Sequence, residues 1–388
     1  MAKENSLDRQ LVALIYAAFP LGSPISAPNE FSEETWRALV EAARRHGLTG
    51  LLDHAVETLG RDDIPRSICE SLRTTLRQTI LAASLAYREL GDVIAKCARE
   101  KIPIVVLKGA ALAKTLYPEA ALRPFGDLDL MLRREDAPRL RTALLSAGMK
   151  ENDELARGFN ESYLGEMAFF PRAGHGVALD LHWELVSPAY YRRRMSIEWF
   201  WQNTETASFG GYPTQVLNPT AQLVHLAVHA GLHHQDRLRL IWLYDLALLI
   251  KRRGAEIDWR AADQFAQEAT LARPICAILE QIQDWWSIEL PREANHLFQP
   301  PRLDLHERMV YALTTTPFTE ARTLLDVLDT PGWNAKLRFA REQLFPNAAY
   351  MRSRYNMTNA ALLPLYYARR LAESTFKFTR SLLTAATR

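Results

Sequence analysis

Apolar positions at helical spacing fill both ends of this chain, and short continuous apolar runs fill the stretch between them. Residues 7–19 (LDRQLVALIYAAF) carry helical periodicity, and 32–45 reads as a second helix with Ser32 at its cap. Gly47 and Gly50 are expected to end it. Pro65 opens a long helical stretch to about Lys101, interrupted only by Gly91. At Ile102 the period changes. The run Ile104, Val105, Val106, Leu107 predicts a buried strand. Lys108 and Gly109 break it, and a helix is expected from Ala110 to about Tyr117. The segment Arg123-Pro-Phe-Gly leads into a second apolar strand over 128–132, and a helix follows from Asp136 to Ala147, closed by Gly148. Residues 165–185 predict a hairpin turning at Gly174 and Gly176, and Gly210-Gly211-Tyr212-Pro213 predicts a turn between two more short strands. From Pro219 helical spacing returns, with helices expected over 219–233, 238–252, 258–269, 272–287, 303–314, 319–327, 333–343 and 359–384, and a linker point at Pro300-Pro301.

This succession predicts an α+β protein: a helical region over 1–100, a mixed α/β core with a small sheet over 101–217, and a helical domain over 218–388. A length of 388 residues favours more than one domain. The formal net charge of +2, with no basic stripe, gives no case for nucleic acid as partner. The three scattered cysteines lack metal or redox spacing, the first residues lack a signal-peptide pattern, and no apolar run is long enough to span a bilayer. A cytoplasmic protein is the expectation. The last stretch, from Tyr366 on, is basic and amphipathic, which suits either a docked terminal helix or contact with a membrane surface or acidic partner.

The chemistry concentrates in 102–132. Side chains alternate faces along a strand, so Asp127 and Asp129 point the same way. Two adjacent carboxylates repel unless a cation lies between them, and Mg²⁺ prefers one or two carboxylates together with phosphate oxygens. Strand, small-residue turn, helix, then D-x-D on a neighbouring strand is the layout of a metal-dependent phosphate site.

These residues resemble the DNA polymerase β-like nucleotidyltransferase superfamily, and within it the uncharacterised nucleotidyltransferase family. LKGAALA at 107–113, RPFGDLDLML at 123–132 and LDLHWEL at 179–185 carry the resemblance, with HLAVHAGLHHQDRLRLIWLYDLALLI at 225–250 and the helix from Trp36 to Leu52. The resemblance implies a polymerase β-like core and transfer of a nucleoside monophosphate from an NTP, with Mg²⁺ (or Mn²⁺) as cofactor and release of pyrophosphate. Asp127, Asp129 and Asp180 are then the metal-holding and catalytic acids, with Asp180 able to act as general base. The superfamily's usual Gly-Ser turn, whose hydroxyl and N–H groups hold phosphate, falls here on Lys108 and Gly109. A lysine can bind phosphate as a point charge, and the following helix start adds N–H donors. Arg123 is read either as a further phosphate contact or as a partner of Asp127 or Glu119.

His225, His229 and His233 recur at helical spacing, with His234 beside them. They fit a cleft wall, a substrate contact or, with no accompanying Glu, a zinc helix. The resemblance implies that His229 and His233 lie near the nucleotide. It also implies that His233 or Arg239 supplies a phosphate contact where the family often has a basic residue and this chain has Leu232. Asp245 is expected to pair with Arg239 or a histidine. The tryptophans are expected in the core, with Trp183 able to stack on a base. Two functions follow: a nucleotidyltransferase acting on a small-molecule, peptide or protein acceptor, or a nucleotide-binding scaffold of the same fold without turnover. The lysine in the turn keeps the second reading open.

Overall fold

The computed structural model describes residues 2–22, 25, 27–28, 30–60, 63–152, 165–171, 176–186, 188–233, 238–299, 302–315, 319–357 and 359–386. Four helices come first: α1 (Ala2–Ala18), α2 (Glu33–His46), α3 (Thr49–Leu59) and the long α4 (Arg66–Arg99). Ser32 caps α2 by accepting the Thr35 N–H, and Gly47 ends it in the left-handed conformation at φ +72°. Gly50 does not share that task. It lies inside α3, where a Cβ would stand 2.8 Å from the Ala121 carbonyl oxygen, so a close backbone approach selects glycine there.

The chain then alternates. Strand β1 (Ile104–Val106) is followed by α5 (Lys108–Thr115), β2 (Asp127–Leu132), α6 (Ala137–Ser146), β3 (Lys150–Glu151), β4 (Glu166–Phe170) and β5 (Ala178–His182). Two short helices, α7 (Ala189–Arg192) and α8 (Ile197–Gln202), precede the hairpin β6 (Thr204–Phe209) and β7 (Tyr212–Leu217). Lys108 and Gly109 do not merely break the strand; they form the first turn of α5. Gly210 and Gly211 make the β6–β7 turn at φ +57° and +86°, as their sequence predicts. Of the β4–β5 turn, Gly174 lies outside the described residues.

The seven strands form one mixed sheet in the order β3-β4-β5-β2-β1-β7-β6. Strand β2 runs antiparallel to β1 and parallel to β5, with Asp129 directly opposite Asp180. Alternation along β2 and β5 sends Leu128, Leu130, Leu132, Leu179 and Leu181 to one face, where they pack on Leu90, Val93 and Ile94 of α4 and Leu140 and Leu144 of α6. Val105, Leu107 and Met131 face the other way, into a larger core. Asp129, Asp180 and His182 share that second face.

The remaining elements are helices: α9 (Pro219–Val228), α10 (Leu240–Arg253), α11 (Trp259–Glu268), α12 (Ala272–Trp286), α13 (Leu305–Thr314), α14 (Thr319–Asp329), α15 (Trp333–Leu344), α16 (Ala348–Tyr355) and α17 (Leu363–Ala386). The large core joins α1 to α3 with α9 to α12 in one apolar cluster that includes Leu11, Trp36, Tyr244 and Trp286. The expected helix over 219–233 is instead α9 continued by a π-helical turn, His229–His233. Pro300, Pro301 and His234 lie outside the described residues. Among the described residues, no helix is long and apolar enough to cross a membrane.

Candidate active site

The face shared by Asp129, Asp180 and His182 opens into a cavity of about 560 Å³. It is lined by β2 and β5, by the start of α5 with the 123–126 segment, and by α9 and the start of α10. Eight of the nine residues read from the sequence as catalytic or nucleotide-binding line it: Asp127, Asp129, Asp180, Lys108, Gly109, Arg123, His229 and Arg239. The ninth, His233, closes the π-helical turn, and its side chain lies outside what is described.

Asp129 is the centre of the charge network. It is 2% exposed, and its Oδ1 accepts from Lys108 Nζ at 2.7 Å and lies 2.8 Å from His182 Nε2. Burial alone would raise its carboxyl pKa, but the Lys108 ammonium and the His182 hydrogen bond outweigh burial and hold it well below the usual carboxylate range. Burial likewise opposes the charge on Lys108, and Asp129 overcomes that and raises it. Lys108 reaches this carboxylate from a left-handed backbone at φ +47°, an uncommon conformation for a residue with a long side chain. A backbone bond from Leu107 N–H to the Asp129 carbonyl, 2.9 Å, ties the turn to β2.

Asp180 lies across from Asp129, and among the described residues no Lys or Arg pairs with it. Burial, then the Asp129 charge, push its carboxyl up to about 6. Asp127 sits at the exposed start of β2, raised by burial first and by Asp129 second. Ligand atoms of Asp129, Asp180 and His182 all lie within 4.8 Å of one another, and among the described residues they form the one group of three with metal-ligand spacing. Two carboxylates and an imidazole suit a divalent cation. The far nitrogen of His182 faces Glu166, with Nδ1 3.7 Å from Oε2, beyond hydrogen-bond reach. The two-residue strand period puts His182 on the face of Asp180, whereas its pairing with Asp129 follows from the register of β2 against β5.

Gly109 has a packing reason. A Cβ there would meet Phe125 Cβ at 2.6 Å, so glycine lets the 123–125 segment lie against α5. The expected partners of Arg123 and Asp245 are corrected. Arg123 pairs with neither Asp127 nor Glu119 but with Asp245, through Nη2 to Oδ2 at 2.8 Å and Nε at 3.2 Å. Asp245, fully buried, also accepts from the Tyr117 hydroxyl at 2.6 Å. The two residues are 122 positions apart in sequence, and their pair fastens α10 to the wall beside Asp127. Arg239 instead donates from Nε to the Arg45 carbonyl at 3.2 Å. Trp242 lines the cavity, whereas Trp183 is buried in the core between the sheet and α4.

A family model described as an uncharacterised nucleotidyltransferase matches residues 32–287. The curated proteins and the solved structures give no match. The matched span contains the whole sheet, the Asp129–Asp180–His182 group and every residue that lines the cavity. It covers more than half of the chain, and this protein belongs to the uncharacterised nucleotidyltransferase family.

Proposed function

We propose that the protein transfers a nucleoside monophosphate from an NTP to an acceptor hydroxyl on a small molecule, peptide or protein. The observation that carries this reading is the register of β2 against β5, which sets Asp129 opposite Asp180 with His182 beside them in the cavity. The turn after β1, the D-x-D on β2 and the third acid on β5 support reading the sheet as a polymerase β-like core. Asp129, Asp180 and His182 would hold a divalent cation, Mg²⁺ or Mn²⁺, and Asp127 lines the same cavity. When bound, such an ion supplies positive charge against the leaving pyrophosphate.

The chain's own residues do the rest. Lys108 and Gly109, the first residues of α5, line the cavity, and in this reading the lysine and the helix start hold the triphosphate. Arg239 offers further positive charge from the start of α10, and Arg123, fixed by Asp245, keeps that helix in place. The acceptor oxygen attacks the α-phosphorus, the bond to the bridging oxygen breaks, and pyrophosphate leaves. Asp180, beside the reacting groups, takes the acceptor's proton as general base. The test is pyrophosphate release from each NTP with Mg²⁺ or Mn²⁺ and cell extract as acceptor source. Release by wild type that is lost in Asp129→Asn and Asp180→Asn supports the assignment, and release that persists in both refutes it.

The 2.7 Å Lys108–Asp129 ion pair favours a second reading. An ammonium on the central carboxylate occupies ground that a metal would use, as in a nucleotide-binding scaffold without turnover. An NTP-dependent melting shift without pyrophosphate release under any acceptor condition would select this reading.

A further inference from the structure

On the α9 and α10 side of the cavity, beside the Lys108–Asp129 pair, rings follow one another: His225 and His229 are 6.2 Å apart, and Trp242 stands edge-on to His229 at 5.8 Å. The α9 helix passes there into its π-helical turn, a local irregularity frequent at functional sites.

His225 is 2% exposed, and among the described residues neither of its ring nitrogens has a hydrogen-bond partner. Buried polar atoms in folded proteins are nearly always paired, and each exception asks for an explanation. This imidazole lies on the cavity wall, so a ligand entering the cavity can supply the missing partner. Burial, then the nearby Lys108 charge, lower its pKa to about 3 and keep it neutral. A neutral imidazole offers one N–H donor and one bare nitrogen acceptor. A phosphate is better served by Lys108 and Arg239, which line the same cavity. A flat, uncharged heterocycle with a donor and an acceptor on its edge matches the imidazole and the aromatic surface beside it.

We infer that His225, His229 and Trp242 form the subsite for the base of the nucleotide, with His225 hydrogen-bonding to the base edge. This rests on the nucleotidyl-transfer reading and names a residue that sets which NTP is taken.

The test is equilibrium binding of the four NTPs and of inorganic tripolyphosphate, each with Mn²⁺, to the full chain and to His225→Phe and His225→Asn. Wild type should rank the four bases. His225→Phe should bind the preferred NTP about ten-fold more weakly, flatten the ranking and leave tripolyphosphate affinity unchanged. Its ligand-free melting temperature should not fall, because phenylalanine removes an unpaired polar group from a buried position. If it does fall, His225→Asn, which keeps a donor and an acceptor, must still alter the ranking. Unchanged ranking in both variants, equal weakening of NTP and tripolyphosphate, or a wild type blind to the base would overturn the inference. A wild type that binds neither NTP nor tripolyphosphate fails the nucleotide reading itself.

Discussion

Replacing Lys108 by methionine removes the ammonium while keeping most of the side-chain volume. In the wild type that ammonium is 2.7 Å from Asp129 Oδ1, with side-chain exposures of 20% for the lysine and 3% for the aspartate. Breaking a buried ion pair by deleting one partner costs about 3–5 kcal/mol, mainly by leaving the other charge unpaired. Lys108 keeps some solvent and His182 stays on Asp129, so the loss should fall near the lower end, about 3 kcal/mol at pH 7. Asp129→Asn in the same chain removes the stranded charge, and the double variant should recover about 2 kcal/mol or more of that loss. The pH dependence has a fixed sign. Asp129 is held below its unfolded value, so the stability it contributes is present above about pH 4 and fades as the pH falls further. The gap between wild type and Lys108→Met should follow it. Mn²⁺ should stabilise Lys108→Met more than wild type, because no ammonium has to give way; saturation at a hundred-fold over Kd adds about 2.7 kcal/mol. Urea denaturation followed by tryptophan fluorescence, at several pH values and with and without Mn²⁺, reads all of these quantities. A Lys108→Met protein as stable as wild type at pH 7, or a double variant no more stable than the single one, would refute the reasoning.

Metal affinity should rise across about pH 5 to 7, because Asp180, its carboxyl at about 6, must lose its proton to bind. In the ion-free protein the same raised group favours folding below its unfolded value, and that contribution is lost as the pH rises through about 6. Calorimetric titration with Mn²⁺ over that range checks the affinity, and a flat profile counts against Asp180 as a ligand. His182→Gln should weaken Mn²⁺ binding about ten-fold while changing Mg²⁺ binding far less, since a ring nitrogen favours the transition ion; equal losses for the two ions would remove His182 from the ligand set. Asp245→Asn should lower stability by about 3 kcal/mol or more, leaving buried Arg123 without its carboxylate, and divalent ions should not rescue it. Chemical denaturation with and without Mn²⁺ measures both points.

The strand pattern was the most legible part of this chain. Continuous apolar runs at 104–107 and 128–132 marked β1 and β2, and the two-residue period placed Asp127 and Asp129 on one face. The same period placed Asp180 and His182 together on β5. Which strands neighbour one another is another matter, because register between distant strands leaves no local trace. Only the parallel pairing of β2 with β5 sets Asp129 against Asp180 and brings His182 onto the same carboxylate. The Arg123–Asp245 pair escaped for the same reason: its members lie on segments separated by strands β2 to β7 and α9. Helix α16 and the π-helical turn were also missed. The first is short, and the second differs from α-helix by a shift of one residue that apolar spacing does not register. Gly50 misled because glycine in sequence signals a helix end, whereas here it answers to the Ala121 carbonyl packed against it.

Lys108 also offsets part of the charge of an acidic site. Asp127, Asp129, Asp180, Glu166 and Glu184 all line the cavity, and a hydroxyl at position 108 would leave the buried Asp129, among the described residues, with His182 as its hydrogen-bond partner. Lys108 supplies the missing charge. It can do so because its left-handed backbone lets a residue in the first turn of α5 aim back at β2. The arrangement places one ammonium between two claims, the carboxylate it now holds and the phosphate of an incoming nucleotide. An ion reaching Asp129 weakens the first claim, and a triphosphate strengthens the second. The two ligands should therefore bind cooperatively through Lys108. In Lys108→Met the ion should bind more tightly alone, while the nucleotide's help to the ion should shrink. A scaffold whose ion pair is permanent would instead show nucleotide affinity independent of Mn²⁺, so titrating each ligand in the presence of the other separates the two readings of this site.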